Sequence, residues 1–151
     1  MTEPVIEWLD PGKTTGAAFL DMETGWFSAG QYDSDELSRH LFAMSTTYGS
    51  RLRLGYEQYL AAGGPHKGTS KHSQGAIGVI ESQARQYEIT LLRPVPSSSR
   101  LVASPAFLRR IGWYKPGKPH ANDAARHLFA HMLRERIMPK DLMRKAILDE
   151  P

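Results

Sequence analysis

The chain contains no cysteine. Disulfides and thiolate metal sites are therefore excluded, and a reducing compartment suits it. No apolar run approaches the roughly 20 residues that span a bilayer. The first ten residues lack the basic and apolar segments of a secretion signal, so a cytoplasmic protein is expected. Positive charge is scarce at the front, where Met1–Leu60 holds four Lys/Arg against nine Asp/Glu. Arg100–Pro151 reverses this, with eleven against five. An acidic front and a basic rear fit a carboxylate site set in a surface that attracts a phosphate backbone. The plainer reading is that the basic helices are solvated faces. With 40% hydrophobic and 23% charged residues, the composition is that of a soluble globular fold and not of a disordered tail. The 151 residues are expected to form one domain, 1–151, large enough to build its own core.

The pattern of apolar residues predicts strands at Val5–Leu9, Ala17–Asp21, Trp26–Tyr32, Arg51–Tyr59 and Ile89–Leu92. Asp10-Pro11-Gly12 and Glu23-Thr24-Gly25 read as turns. Ser34 is positioned to cap a helix over Asp35–Met44, with Leu37, Leu41 and Met44 on one face. Further helices are predicted over Ser73–Tyr87, from Ser104-Pro105 to Gly112, over Ala121–Arg136, and over Pro139–Leu148. The stripe of the longest comprises Ala121, Ala124, Ala125, Leu128, Met132 and Leu133. Ala61–Lys71 and Trp113–Pro119 read as basic loops. Three strands followed by alternating strands and helices predict an α/β fold, a mixed five-stranded sheet flanked by helices.

Three acidic residues stand out by position. Asp10 ends a strand and is followed at once by Pro11-Gly12. Glu57 lies inside the apolar-aromatic stretch Leu54-Gly55-Tyr56-Glu57-Gln58-Tyr59, where a carboxylate is costly unless paired or metal-bound. Asp123 opens the longest helix, with His120 three residues earlier on the same face. Each has an ordinary structural explanation when taken alone: a turn holder, a paired strand residue, or a group favoured by the helix dipole. His127 and His131 continue the edge of His120 one turn apart and are expected to be structural or surface residues. His66 and His72 are expected to meet phosphate or solvent.

Taken together, Leu9-Asp10-Pro11-Gly12 with Thr15-Gly16, then Tyr56-Glu57-Gln58, then His120-Ala121-Asn122-Asp123-Ala124-Ala125 resemble the RuvC family of Holliday-junction resolvases. The order and spacing match from about Ile6 to Leu133. Gln74-Gly75-Ala76-Ile77-Gly78-Val79-Ile80 resembles the family's helix after the catalytic glutamate. Ile89–Leu92, Pro94 and Ser97–Val102 resemble the strand and turn that follow it. The resemblance implies a ribonuclease H-like fold and a metal-dependent endonuclease that cleaves Holliday junctions and other branched DNA in recombination and replication. It also implies two Mg²⁺ or Mn²⁺ ions per site, with Asp10 bridging both, Glu57 holding one and Asp123 the other. His120 falls where family members carry a fourth carboxylate or a histidine, as a ligand or a contact to the scissile phosphate. An imidazole there is softer than a carboxylate and favours Mn²⁺. The rival readings are a non-catalytic module binding branched nucleic acid on the same fold, and a nuclease acting on RNA or RNA–DNA hybrid.

A nuclease needs a track for the DNA backbone. Lys67, Lys71 and His72 follow Glu57, and Arg109, Arg110, Lys115 and Lys118 precede Asp123. Tyr114 and Trp113 sit within the second group. Tyr114 is a candidate to stack on unpaired bases, while Trp113 fits loop-core packing better. The family places an aromatic three residues after the glutamate. That position is Leu60 here, preceded by Tyr59, so cleavage could extend to flaps and forks. Two symmetric cuts call for a homodimer, and Gly75 and Gly78 mark a helix face that a second backbone could approach. Two other resemblances fail. Gly12-Lys13-Thr14 lacks the first glycine of a Walker A loop, since Glu7 stands in its place. The phosphate loop of actin-like ATPases, which Asp10–Gly16 resembles, needs a second domain.

Overall fold

The structure is a computed structural model and describes residues 2–57, 71–93 and 101–148. Its centre is a five-stranded mixed sheet with strand order β3-β2-β1-β4-β5. The strands are β1 (Val5–Asp10), β2 (Thr15–Asp21), β3 (Phe27–Tyr32), β4 (Leu52–Tyr56) and β5 (Thr90–Leu91). The first three form an antiparallel meander, whereas β1, β4 and β5 run parallel. Helices α1 (Ser34–Tyr48) and α2 (Lys71–Gln86) cover one face. The other face is covered by α4 (Pro119–Glu135), with α3 (Pro105–Ile111) and α5 (Lys140–Ile147) packed beside it. None of the described helices is long and apolar enough to cross a membrane.

Because both faces are covered, every residue of β1 is buried. Val5 and Leu9 point toward α1 and α2, and Ile6 and Trp8 toward α4. Two glycines make the α4 side fit. A Cβ on Gly16 would come 1.9 Å from the His120 carbonyl oxygen, so only glycine lets the start of α4 lie on β2. A Cβ on Gly55 would come 2.2 Å from the Trp8 ring, which lies across β4.

Several boundaries differ from those expected. Asp33, not Ser34, caps α1. Its carboxylate accepts from the Glu36 N–H at 2.9 Å, and Glu36 Oε2 accepts from the Asp33 N–H at 2.9 Å. This reciprocal box outcompetes a serine cap, and α1 runs on to Tyr48. β5 begins one residue late, because the Ile89 N–H is taken by the Ala84 carbonyl at the end of α2. α4 begins at Pro119, a favoured first position, so His120 is helical. Leu133 is 51% exposed and lies outside the buried stripe of α4. The α3 boundaries agree with the sequence: the Ser104 side chain accepts from the Phe107 N–H, and Gly112 closes the helix in the left-handed conformation.

Candidate active site

Asp10 and Glu57 end adjacent parallel strands. Leu9 pairs with Tyr56, and the next N–H, that of Glu57, bonds to the Leu9 carbonyl at 3.2 Å. Strand alternation turns both carboxylates toward α4, and they are 6% and 1% exposed. Two neighbouring carboxylates buried at the carboxyl ends of parallel strands are costly unless cations or hydrogen bonds meet them.

Helix α4 meets both. His120 Nδ1 lies 3.3 Å from Asp10 Oδ2. Two turns along the same edge, His127 Nε2 lies 3.0 Å from Glu57 Oε2. An ionised carboxylate only accepts, so Nε2 of His127 carries the proton of this contact. Asp123, the third carboxylate, is engaged by Arg126 at 3.1 Å, and Arg126 also donates to the Ala103 carbonyl at 2.6 Å. Each of the three acids is thus balanced by a basic side chain of one helix. Among the described residues, no three His, Asp or Glu side chains come together closely enough to hold a metal ion. Asp10 and Glu57 adjoin, while Asp123 turns aside to Arg126.

The start of α4 is fastened from a distance. Lys118 supplies no cap. Gln31 of β3 does so instead, its Oε1 accepting from the N–H groups of His120 at 2.9 Å and Ala121 at 3.4 Å. Asn122 clamps the basic loop before α4 by exchanging two hydrogen bonds with the Lys115 backbone, at 2.8 and 2.9 Å. In this way Lys118 and Tyr114 are held near Asp123, while the Lys115 ammonium lies over the Phe27 ring, 5.8 Å from its centroid. Tyr114, Lys118, Asn122, Asp123 and Arg126 line one cleft. Arg109 lies over the Tyr114 ring at 3.9 Å.

The remaining predicted contacts divide. Lys71 and His72 open α2 on the surface, and the neighbouring Ser73 hydroxyl donates to the Pro11 carbonyl, which holds them beside the turn after Asp10. Arg110 donates to the Ala146 carbonyl of α5. Trp113 is buried and stacks on Phe27 at 4.3 Å, which bears out its packing role. Tyr59, Leu60, His66 and Lys67 lie outside the described residues. Two residues were missed by sequence reasoning. Gln31 carries no local signal of its role. His127, expected to be merely structural or at the surface, is completely buried on Glu57, and its i+7 spacing from His120 was the available clue. His131 is buried against Trp8, and burial, reinforced by Arg134, pushes its pKa down.

No protein-family model and no curated protein matches this sequence. Solved structures do. The RuvC of Thermus thermophilus in complex with a Holliday junction substrate superposes with a TM-score of 0.68 at 12% identity, covering 89% of this chain and 96% of that one. A second Thermus thermophilus RuvC structure gives 0.60 at 16% identity, covering 88% and 96%. The chain has the RuvC fold. The ribonuclease H-like, mixed five-stranded sheet flanked by helices implied by the sequence motifs is therefore present. On the RuvC fold, Asp10 and Glu57 come from adjacent central strands and His120 and Asp123 from the helix laid across them.

Proposed function

We propose that the chain is a divalent-metal-dependent endonuclease that cuts branched DNA, with four-way junctions as its principal substrate. The observation that carries this reading is the burial of Asp10 and Glu57 side by side at the ends of β1 and β4, on a fold shared with a protein solved on a Holliday junction. Their donor set fits Mg²⁺ or Mn²⁺: carboxylate oxygens suit hard cations, which retain several waters and need few protein ligands. Asp10 and Glu57 are the residues that would hold such ions. Asp123, paired with Arg126 in this structure, would complete a two-ion site on turning from that partner, with His120 as a further ligand or phosphate contact. Bound divalent ions supply polarisation of the phosphoryl oxygens and activation of water.

The protein's own residues do the rest. His120 leaves its side chain 46% exposed over Asp10, where it can meet a phosphate oxygen or carry a proton. Lys71 and His72 on one side, and Arg109, Lys115 and Lys118 on the other, supply the cationic track. Tyr114 offers a ring for an unpaired base. On α2, a Cβ at Gly75 or Gly78 would meet open space, so a second copy can approach there and bring a second site related by two-fold symmetry.

The direct test mixes the protein with a labelled four-way junction and Mg²⁺ or Mn²⁺. Asp10→Asn is expected to abolish cutting while junction binding survives. Cutting by Asp10→Asn at the wild-type rate would remove Asp10 from the site. Fork, flap and RNA–DNA hybrid substrates run in parallel distinguish a junction enzyme from a general nuclease. Junction affinity is expected to fall steeply with salt, and a flat response would exclude the basic loops as the track.

A further inference from the structure

The geometry points to His127 as the positioning residue for Glu57, an assignment that rests on the reading of Glu57 as a metal ligand. His127 is fully buried, and its Nε2 reaches Glu57 Oε2 at 3.0 Å across 70 positions of sequence. Its ring orientation is set by packing. It stacks against Trp8, with centroids 6.5 Å apart and planes 27° from parallel. Trp8 is wedged between His131, at 5.1 Å, and the strand backbone at Gly55, where a Cβ would collide with the indole. Gly55 lies two residues before Glu57 on the same strand face. The strand that carries the carboxylate therefore also shapes the seat of the ring that holds it.

His120 and His127 share an edge of α4, two turns apart, and each contacts one of the paired acids. One helix thus contacts both carboxylates. A ligand held by a hydrogen bond from a locked donor loses less freedom on taking a cation.

The experiment measures Mn²⁺ binding to the full chain without DNA, by electron paramagnetic resonance of the free ion. His127→Leu keeps the bulk and removes the donor. It is expected to weaken Mn²⁺ binding about 10–100-fold, the usual cost of losing an outer-shell partner, with unchanged circular dichroism. His127→Gln, whose amide nitrogen reaches the place of Nε2, is expected to restore affinity to within about 3-fold, while the shorter His127→Asn is not. A merely structural role would alter stability but leave the folded variants' affinity alike. Wild-type affinity in folded His127→Leu, or equal affinities for the Gln and Asn variants, would overturn the proposal. If His127→Leu does not fold, the Gln and Asn pair decides by the same criterion. Glu57→Gln is the control: wild-type Mn²⁺ binding there removes Glu57 as a ligand, and with it both the proposed function at this residue and the role of His127.

Discussion

The two faces of the sheet carry the same chemical pair in different places. On the α4 face, Glu57 meets His127, which stacks on Trp8. On the α1 face, Glu7 meets His40, which stacks on Tyr32 at 4.2 Å. Both glutamates are strand residues with at most 1% exposure, and both histidines reach in from a helix through Nε2. Glu7, however, sits in mid-strand, between Phe19 and Leu54 on the neighbouring strands. Glu57 sits where β4 ends, beside a second buried carboxylate at the carboxyl edge of the sheet. In open α/β sheets that edge is where ligands bind. A buried Glu–His pair is therefore not by itself a site. A neighbouring buried carboxylate and a place at the carboxyl end of the parallel strands give Glu57 the setting that Glu7 lacks.

The largest expected effect tests that distinction directly. Glu57→Gln is expected to lower junction cleavage by more than the roughly 10–100-fold that an outer-shell loss costs. Glu7→Gln is expected to leave the rate of the folded protein within about 3-fold of wild type, since it touches no proposed ligand. Equal losses would erase the difference between the two faces. His40→Leu sharpens the comparison through stability. It leaves the buried Glu7 carboxyl without this hydrogen-bond partner, a loss of about 1–3 kcal/mol measurable by urea unfolding. Cleavage per folded molecule is expected to survive, and its loss would give the Glu7 pair a role in the site.

The strands and helices were legible because their signals are local. Val5–Leu9 is a short apolar run between turns, and Ser104-Pro105 with Gly112 brackets α3. Even the Asp33 cap was visible as Asp-x-x-Glu, although Ser34 competes for it. Asp10, Glu57, His120 and Asp123 were singled out by position and by resemblance, and the fold sets two of them on adjacent strands and two on one helix. The partners of these residues were not legible. His127 lies 70 positions from Glu57, His40 lies 33 from Glu7, and Gln31 lies 89 from the His120 N–H it accepts. Such pairings depend on strand order and helix placement, which no window of sequence encodes. The burial of Glu7 was missed for the same reason: β1 alternates between two covered faces, so a polar residue there looks like any solvent-facing one.

Gly16→Ala probes how closely α4 must lie on the sheet to serve the Asp10–Glu57 face. The new methyl would enter the His120 carbonyl, so the start of α4 must lift from β2. Overpacking of this kind costs about 1–3 kcal/mol. Because His120 and Asp123 ride on that turn, cleavage is expected to fall along with stability. By contrast, Gly25→Ala, at the far end of β2, meets nothing within 4 Å and strains only its own turn, where φ is +74°. Cleavage unaffected by Gly16→Ala would show that the contact of α4 with β2 does not set the site.

The smallest expected effects separate the two faces by pH. Beside the Glu7–His40 pair, burial and then the charges of Glu7 and Glu36 raise the pKa of Tyr32 above 10.0. The folded state thus prefers neutral Tyr32, and its contribution is complete below pH 10 and lost as the pH climbs through the raised value. On the other face, burial lowers the pKa of His131 below 6.5. The folded state prefers neutral His131, so its contribution is complete above pH 6.5 and lost as the pH falls toward the lowered value. Each slope is bounded at about 1.4 kcal/mol per pH unit, the ceiling for one proton. Urea midpoints measured from pH 4 to 11 are expected to lose part of their acid-side slope in His131→Leu and part of their alkaline slope in Tyr32→Phe. If either substitution flattened the opposite limb, the titrating group would have been placed on the wrong face.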